Sequence, residues 1–352
     1  MNIGSGLYLQ SYTYKGTEVM IQNAYTGRDA QLWSLTQLPD NSYKAINKLN
    51  SLAITASNNP LTQLQPFTSL PAQKWQYNKL PAADTVKAGL LNVSNILQSN
   101  MVVQRNKPTN IWGSASAGTV VSVKATWNGT LFKTTTDTDG HWLVSIPGVA
   151  ATFNPQTITV SATGQPVIKL DNILIGDVWF CTGQSNMVYE FGFINGFFPG
   201  VLNTETEVLK ANKPTIRYAA VGLSNKNSPS YEAAKTNPAW TAITPTNVVK
   251  FSGIMYYFGS KLDSALHIPI GLVMAATGGS ACEAWTGADV ISADPVLANY
   301  YTGRNGASRT YNGMIYPVHN LSITGILWDQ GESNQYDEPV SNYTRLNTAM
   351  IK

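Results

Sequence analysis

Asp177-Val178-Trp179-Phe180-Cys181-Thr182-Gly183-Gln184-Ser185-Asn186-Met187 is the stretch whose reading decides the fold. Residues 178–181 form a short apolar run with aromatic content, interrupted by Thr182 and Gly183. That pattern predicts a buried strand ending in a tight turn. Ser185 then stands just past the strand end. Open α/β sheets bind ligands outside the carboxyl ends of their strands, so a serine there is placed to act as a nucleophile. Serine and asparagine also favour turns that carry no chemistry, and this stretch alone does not separate the two readings.

The same pattern recurs downstream. Ile270-Gly271-Leu272-Val273-Met274-Ala275 predicts a second core strand ending at Gly278-Gly279, and Ile323-Thr324-Gly325-Ile326-Leu327-Trp328 a third ending at Gln330-Gly331-Glu332-Ser333-Asn334. A strand is expected near 216–221. Helical patterns cover 204–211 and 252–266, the latter with Ile254, Tyr257, Phe258, Leu262 and Leu266 on one face. Strands alternating with helices imply a mostly parallel sheet. In such a sheet the three glycine-containing ends lie on one edge, which brings Ser185, the Gly278-Gly279 backbone and the amides of residues 330–334 together. Glycine permits close backbone approach to a ligand. Free N–H groups and a carboxamide are what an oxyanion hole requires.

The rest of the chain reads differently. Its 352 residues are too many for one ordinary core, so more than one domain is expected. Short alternating strands and turns such as Asp139-Gly140 over 88–170 suggest a β-sandwich, and residues 81–84 a linker. Residues 1–80 carry Gln31-Leu32-Trp33 and Gln73-Lys74-Trp75, whose tryptophans are 42 residues apart, among short β-type runs. A fixed period of this size points to a structural repeat. Only 12% of residues are charged, and the net charge of +3 includes no basic run. No phosphate-tracking patch or nucleic-acid partner is therefore expected. No apolar run is long enough to span a membrane, and residues 1–10 show no signal-peptide pattern. Cys181 and Cys282 read as small buried residues, with a single bridge between them left open. Four N-x-S/T sequons, beginning at Asn92, Asn128, Asn320 and Asn342, matter only for a chain secreted from a eukaryotic cell.

Two resemblances follow from these motifs. The paired Q-x-W triplets look like those of ricin B-type lectins, a β-trefoil family. This implies that Trp33 and Trp75 are packing residues and that the module has a glycan ligand. Less than two of a trefoil's three lobes are present, and the opening strand of the first is missing, so the domain is expected to start before Met1. The 176–187 stretch, with Gly278-Gly279-Ser280-Ala281-Cys282-Glu283-Ala284-Trp285, Tyr311-Asn312-Gly313-Met314-Ile315-Tyr316-Pro317 and Gly325-Ile326-Leu327-Trp328-Asp329-Gln330-Gly331-Glu332-Ser333-Asn334, resembles the sialate O-acetylesterases, carbohydrate esterases of the SGNH-hydrolase superfamily. Asp329 departs slightly, standing where an aromatic residue is more usual.

The second resemblance implies an α/β SGNH-hydrolase fold over 171–352, flavodoxin-like, preceded by the all-β modules. It implies hydrolysis of O-acetyl esters on sugars, with Ser185 as nucleophile. The backbone N–H groups of Ser185 and Gly279, with the Gln330 or Asn334 side chain, are the expected oxyanion donors. Gln184, Asn186 and Glu332 are expected to contact the acetylated carbohydrate. No metal or organic cofactor is implied, and an extracellular or lumenal setting fits.

The family's late Asp-x-x-His, which supplies the general base, is absent from these residues. His141 follows a hairpin turn. His267 and His319 precede the core strands, which puts them on the order of 20 Å from Ser185 at the usual strand rise. The chain is therefore expected to be a fragment of an esterase. The alternative is a glycan-binding protein whose esterase-like domain is inactive.

Overall fold

The computed structural model describes residues 8–14, 17–23, 29–40, 42–56, 63–75, 89–192, 199–301, 306–337 and 339–351. The linker at 81–84 lies outside them. The chain divides into two compact units, residues 1–85 and 86–352.

In the first unit six strands form one antiparallel sheet, in the order Tyr8–Tyr14, Thr17–Asn23, Gln63–Gln65, Ala53–Thr55, Tyr43–Asn47, Trp33–Gln37. Among the described residues the threefold arrangement of a trefoil is not displayed. The two Q-x-W triplets do share a local structure, because each glutamine closes a short 3-10 turn, Asp29–Gln31 and Pro71–Gln73. Gln73 is fully buried. Its amide donates to Thr55 Oγ1 (3.1 Å) and Pro66 O (2.8 Å) and accepts from Thr68 N (2.8 Å). The glutamine is thus more enclosed than Trp75, which is 37% exposed and donates its indole N–H to Ile54 O.

In the second unit the organising element is a sixteen-residue strand. We label the strands that position the site β1 (Thr152–Ala162), β2 (Ile168–Gly183), β3 (Lys213–Ala220), β4 (Ile270–Ala276) and β5 (Gly325–Asp329). The helices are α1 (Ser185–Val188), α2 (Gly253–Leu266) and α3 (Ser341–Ile351). β2 runs roughly 50 Å at the usual strand rise and does two jobs. Its first half pairs antiparallel with β1 and parallel with Val102–Gln104. Its second half pairs parallel with β4, Asp177 opposite Ile270 through Gly183 opposite Ala276, and with β5, Trp179 opposite Gly325 through Gly183 opposite Asp329.

The β-rich half packs the sheet Asn92–Val93, Thr109–Ser114, His141–Ile146 against the antiparallel end of the long sheet. Ile111, Trp112, Val144 and Ile146 share a core there with Val121, Val123, Ile158 and Val160. β2 crosses residue 170, so the antiparallel end of the long sheet and the parallel sheet have a strand in common.

Along the parallel strands alternate residues enter opposite cores. Phe180, Val273 and Ala219 face one side, and Cys181, Leu272 and Tyr218 the other, as the two-residue strand period requires. Ser252 caps α2, its hydroxyl accepting from Met255 N at 3.3 Å. The buried face of α2 is Gly253, Met255, Tyr256 and Gly259. Ile254, Tyr257 and Leu266, expected inside, are exposed. Gly259 explains the offset: a β-carbon there would lie 2.8 Å from Leu272 Cδ1, so the helix approaches the sheet along its smallest residues.

Three parallel strands lie in the spatial order β4-β2-β5, with β3 outside β4. The chain leaves β2 toward β3 and β4, then crosses to β5 on the other side. The winding reverses between β2 and β5, and such a switch point opens a crevice at the carboxyl ends. No described helix is long and apolar enough to cross a membrane.

Candidate active site

Gly183, Ala276 and Asp329 stand side by side where three strands end. Backbone hydrogen bonds tie the loops beyond them: Gln184 N donates to Asp329 O (3.0 Å) and Thr277 N to Gly183 O (3.1 Å). Gly183 has φ +142°, and a β-carbon on it would meet Asp329 O at 2.0 Å. Only glycine fits this turn. The turn delivers Ser185 to the first position of α1, exposed at the crevice. Ser185 Oγ has no hydrogen-bond partner among the described residues.

The loop after β4 comes against it. A β-carbon on Gly278 would lie 3.7 Å from Ser185 Cβ, and Gly279, at φ +72°, has open space where a side chain would stand. The loop after β5 joins through Gln330. Its Nε2 faces three acceptors, Asn334 Oδ1 (2.7 Å), Gln184 Oε1 (3.1 Å) and Ser280 O (3.2 Å). Tyr343 of α3 donates to Gln330 O at 2.9 Å. The structure therefore brings Ser185, Gly278-Gly279 and Gln330 into one cluster.

Asn334 faces inward. It is 4% exposed; its Nδ2 donates to Glu283 Oε2 and Asp337 Oδ2, both at 2.9 Å, and its Oδ1 accepts from Cys282 N at 2.8 Å. Tyr301 donates to Asp337 Oδ2 at 2.7 Å. Gln184 is also enclosed, its carbonyl accepting from Ser333 N (3.2 Å) as well as from Gln330. Asn186 and Glu332 are exposed and bonded to each other, Nδ2 to Oε1, at 2.7 Å. Sequence reasoning missed Glu283, Asp337 and Tyr343. Glu283 and Tyr343 act through partners 51 and 13 residues away, and Asp337 joins Asn334 to Tyr301, 36 residues earlier.

The histidines lie elsewhere. His267 ends α2 in the left-handed conformation, three residues before β4 begins, at the edge opposite Ser185. His319 contacts Tyr316 O in the turn ahead of β5. His141 stacks on Tyr231, the ring centroids 3.5 Å apart. Among the described residues, no group of three or more His, Cys, Asp or Glu side chains could hold a metal ion.

A mixed sheet with a serine and polar loops gathered at its switch point defines an SGNH-like esterase fold, and comparison with known proteins agrees. A family model described as carbohydrate esterase, sialic acid-specific acetylesterase, matches residues 175–352, just over half of the chain. The chain belongs to that family. Sialate O-acetylesterases from Pongo abelii and Homo sapiens are each 27% identical over 276 residues, covering 71% of this chain and 50% of those proteins. A crystal structure of a carbohydrate acetylesterase from Xanthomonas citri superposes with a TM-score of 0.63 at 28% identity, over 74% of this chain and 55% of that one. The chain spans about half the length of the curated relatives it matches.

Proposed function

We propose that the chain carries the nucleophile and oxyanion site of a carbohydrate O-acetylesterase acting on acetylated glycans, sialic acid or an acetylated polysaccharide. The observation that carries this reading is the contact of the Gly278 loop with Ser185, beside Gln330. In the proposed reaction Ser185 Oγ attacks the acetyl carbonyl carbon while a base takes its proton. The carbonyl oxygen becomes an oxyanion held by the Ser185 and Gly279 N–H groups and by Gln330 Nε2. Collapse expels the sugar hydroxyl, which takes the proton, and leaves acetyl-Ser185; water then releases acetate. Gln330 suits the donor role better than Asn334. Three acceptors compete for its two hydrogens, and the two longer contacts can be exchanged for an oxyanion. Both hydrogens of Asn334 already go to carboxylates.

With the three histidines placed elsewhere, the reading takes the base from an Asp-x-x-His segment outside residues 1–352. It further assigns residues 1–80 a ricin B-like glycan-binding role and the protein an extracellular or lumenal setting. The same histidine placement favours one second reading, a glycan-binding protein with an inactive esterase-like domain. Acetate release from a panel of acetylated sugars by this chain joined to a segment carrying an Asp-x-x-His, with and without Ser185→Ala, separates the two.

A further inference from the structure

A cavity of about 580 Å³ opens beside α1, within the size range of small-molecule sites. Val188 forms part of its wall, so it begins one helical turn from Ser185. Tyr218 of β3 and Met274 of β4 form the floor. Most of its polar side chains are committed to the protein. Tyr218 donates to Met274 Sδ, Trp240 Nε1 donates to Ile96 O, Asn247 Nδ2 donates to Ala242 O, and Ser252 caps α2. Glu190, Asn237 and Lys250 differ. All three line the cavity, and none has a side-chain hydrogen bond or ion pair among the described residues. A carboxylate and an ammonium in one cavity, not paired with each other, call for a ligand that offers donors and acceptors at several points on a compact frame. A pyranose ring with adjacent hydroxyls does so.

We propose that this cavity is the subsite for the sugar ring of the acetylated substrate, with Glu190, Asn237 and Lys250 as its polar partners. The proposal rests on the esterase reading of Ser185. Glu190 accepts from ring hydroxyls, while Lys250 and the Asn237 amide donate to ring oxygens. The acetyl group projects toward Ser185, one helical turn away.

Binding of methyl glycosides of xylose and of N-acetylneuraminic acid, neither O-acetylated, tests this by titration calorimetry or NMR on the full chain. At least one should bind, and Glu190→Gln combined with Lys250→Met should weaken it by about tenfold. Asn237→Ala, at an exposed position, should weaken it about threefold or more and decides the matter should the double variant misfold. If neither glycoside binds, or binding survives both sets of substitutions, the proposal is overturned. Cleavage of 4-nitrophenyl acetate reports the esterase reading separately. A protein that cleaves that ester but binds no sugar overturns the subsite alone, and one that binds sugar through these residues but cleaves no acetyl ester even when joined to a segment carrying an Asp-x-x-His overturns the esterase reading alone.

Discussion

Gly183 and Asp329 meet across β2 and β5 so closely that a β-carbon on Gly183 would stand 2.0 Å from the Asp329 carbonyl oxygen. That approach closes the floor of the crevice and fixes the direction in which Ser185 leaves the strand. Gly183→Ala should destabilise the protein by about 3 kcal/mol or more, since the new methyl meets backbone and the φ is one that side chains avoid. Denaturant unfolding measures the loss. Gly279→Ala, with open space at its β-carbon but φ +72°, should cost only about 1 kcal/mol.

Gln330 and Asn334 are four residues apart and should fail in different ways. Gln330→Ala should lower kcat for acetyl-ester cleavage by about 10²-fold or more, as expected for loss of one oxyanion donor, with a modest effect on stability. Asn334→Ala leaves the Cys282 N–H without its side-chain acceptor and takes one donor from each of two buried carboxylates, and should cost about 2 kcal/mol of stability. Kinetics and melting of the two variants, measured together, check the division.

Asp177 joins the β-rich half to the parallel sheet. Burial alone would raise its pKa, but the paired Arg105 guanidinium, together with Gln104 and Thr324, outweighs it and holds the carboxyl below its usual value. Arg105 Nε and Nη2 donate to the two carboxylate oxygens at 2.8 and 3.0 Å. A depressed folded-state pKa adds stability that is present above the unfolded-state value of about 4 and is lost as pH falls through the folded value. Asp177→Asn should therefore cost about 2 kcal/mol at neutral pH, and the difference from wild type should shrink below pH ~4. Urea titrations at pH 7 and pH 3 give the comparison.

Cys181 and Cys282 are buried and free, and burial pushes both thiols up to about 12. At pH 8 neither presents thiolate or an accessible sulfur. A chromogenic disulfide reagent should find no reactive thiol in the native protein and two after denaturation. A rapidly reacting thiol in the native state would contradict this burial.

The strand ends were legible in the sequence because each is an apolar run stopped by a glycine, and that signal is local. The length of β2 was not legible. Gly176 and Asp177 look like a break, yet both lie inside the strand. A β-carbon on Gly176 would meet Pro269 O at 1.8 Å, and Asp177 is neutralised by Arg105, so tertiary contacts explain both residues. The inward turn of Asn334 was hidden for the same reason, since its partners Glu283 and Cys282 lie about fifty positions earlier. The buried face of α2 was read only in part: Phe258 and Leu262 pack on the core as expected, while Ile254, Tyr257 and Leu266 turn outward because Gly259 makes the closest approach.

The most direct measurement is acetate release from O-acetylated sugars by this chain joined to a segment carrying an Asp-x-x-His, compared with Ser185→Ala in the same protein and with residues 1–352 alone. The account predicts a rate drop of about 10⁴-fold or more for Ser185→Ala and near-background release from residues 1–352, where Ser185 stays a neutral hydroxyl and a weak nucleophile. Full activity of Ser185→Ala would contradict the assignment of the nucleophile, and ordinary enzyme rates from residues 1–352 alone would contradict the claim that the base lies outside them.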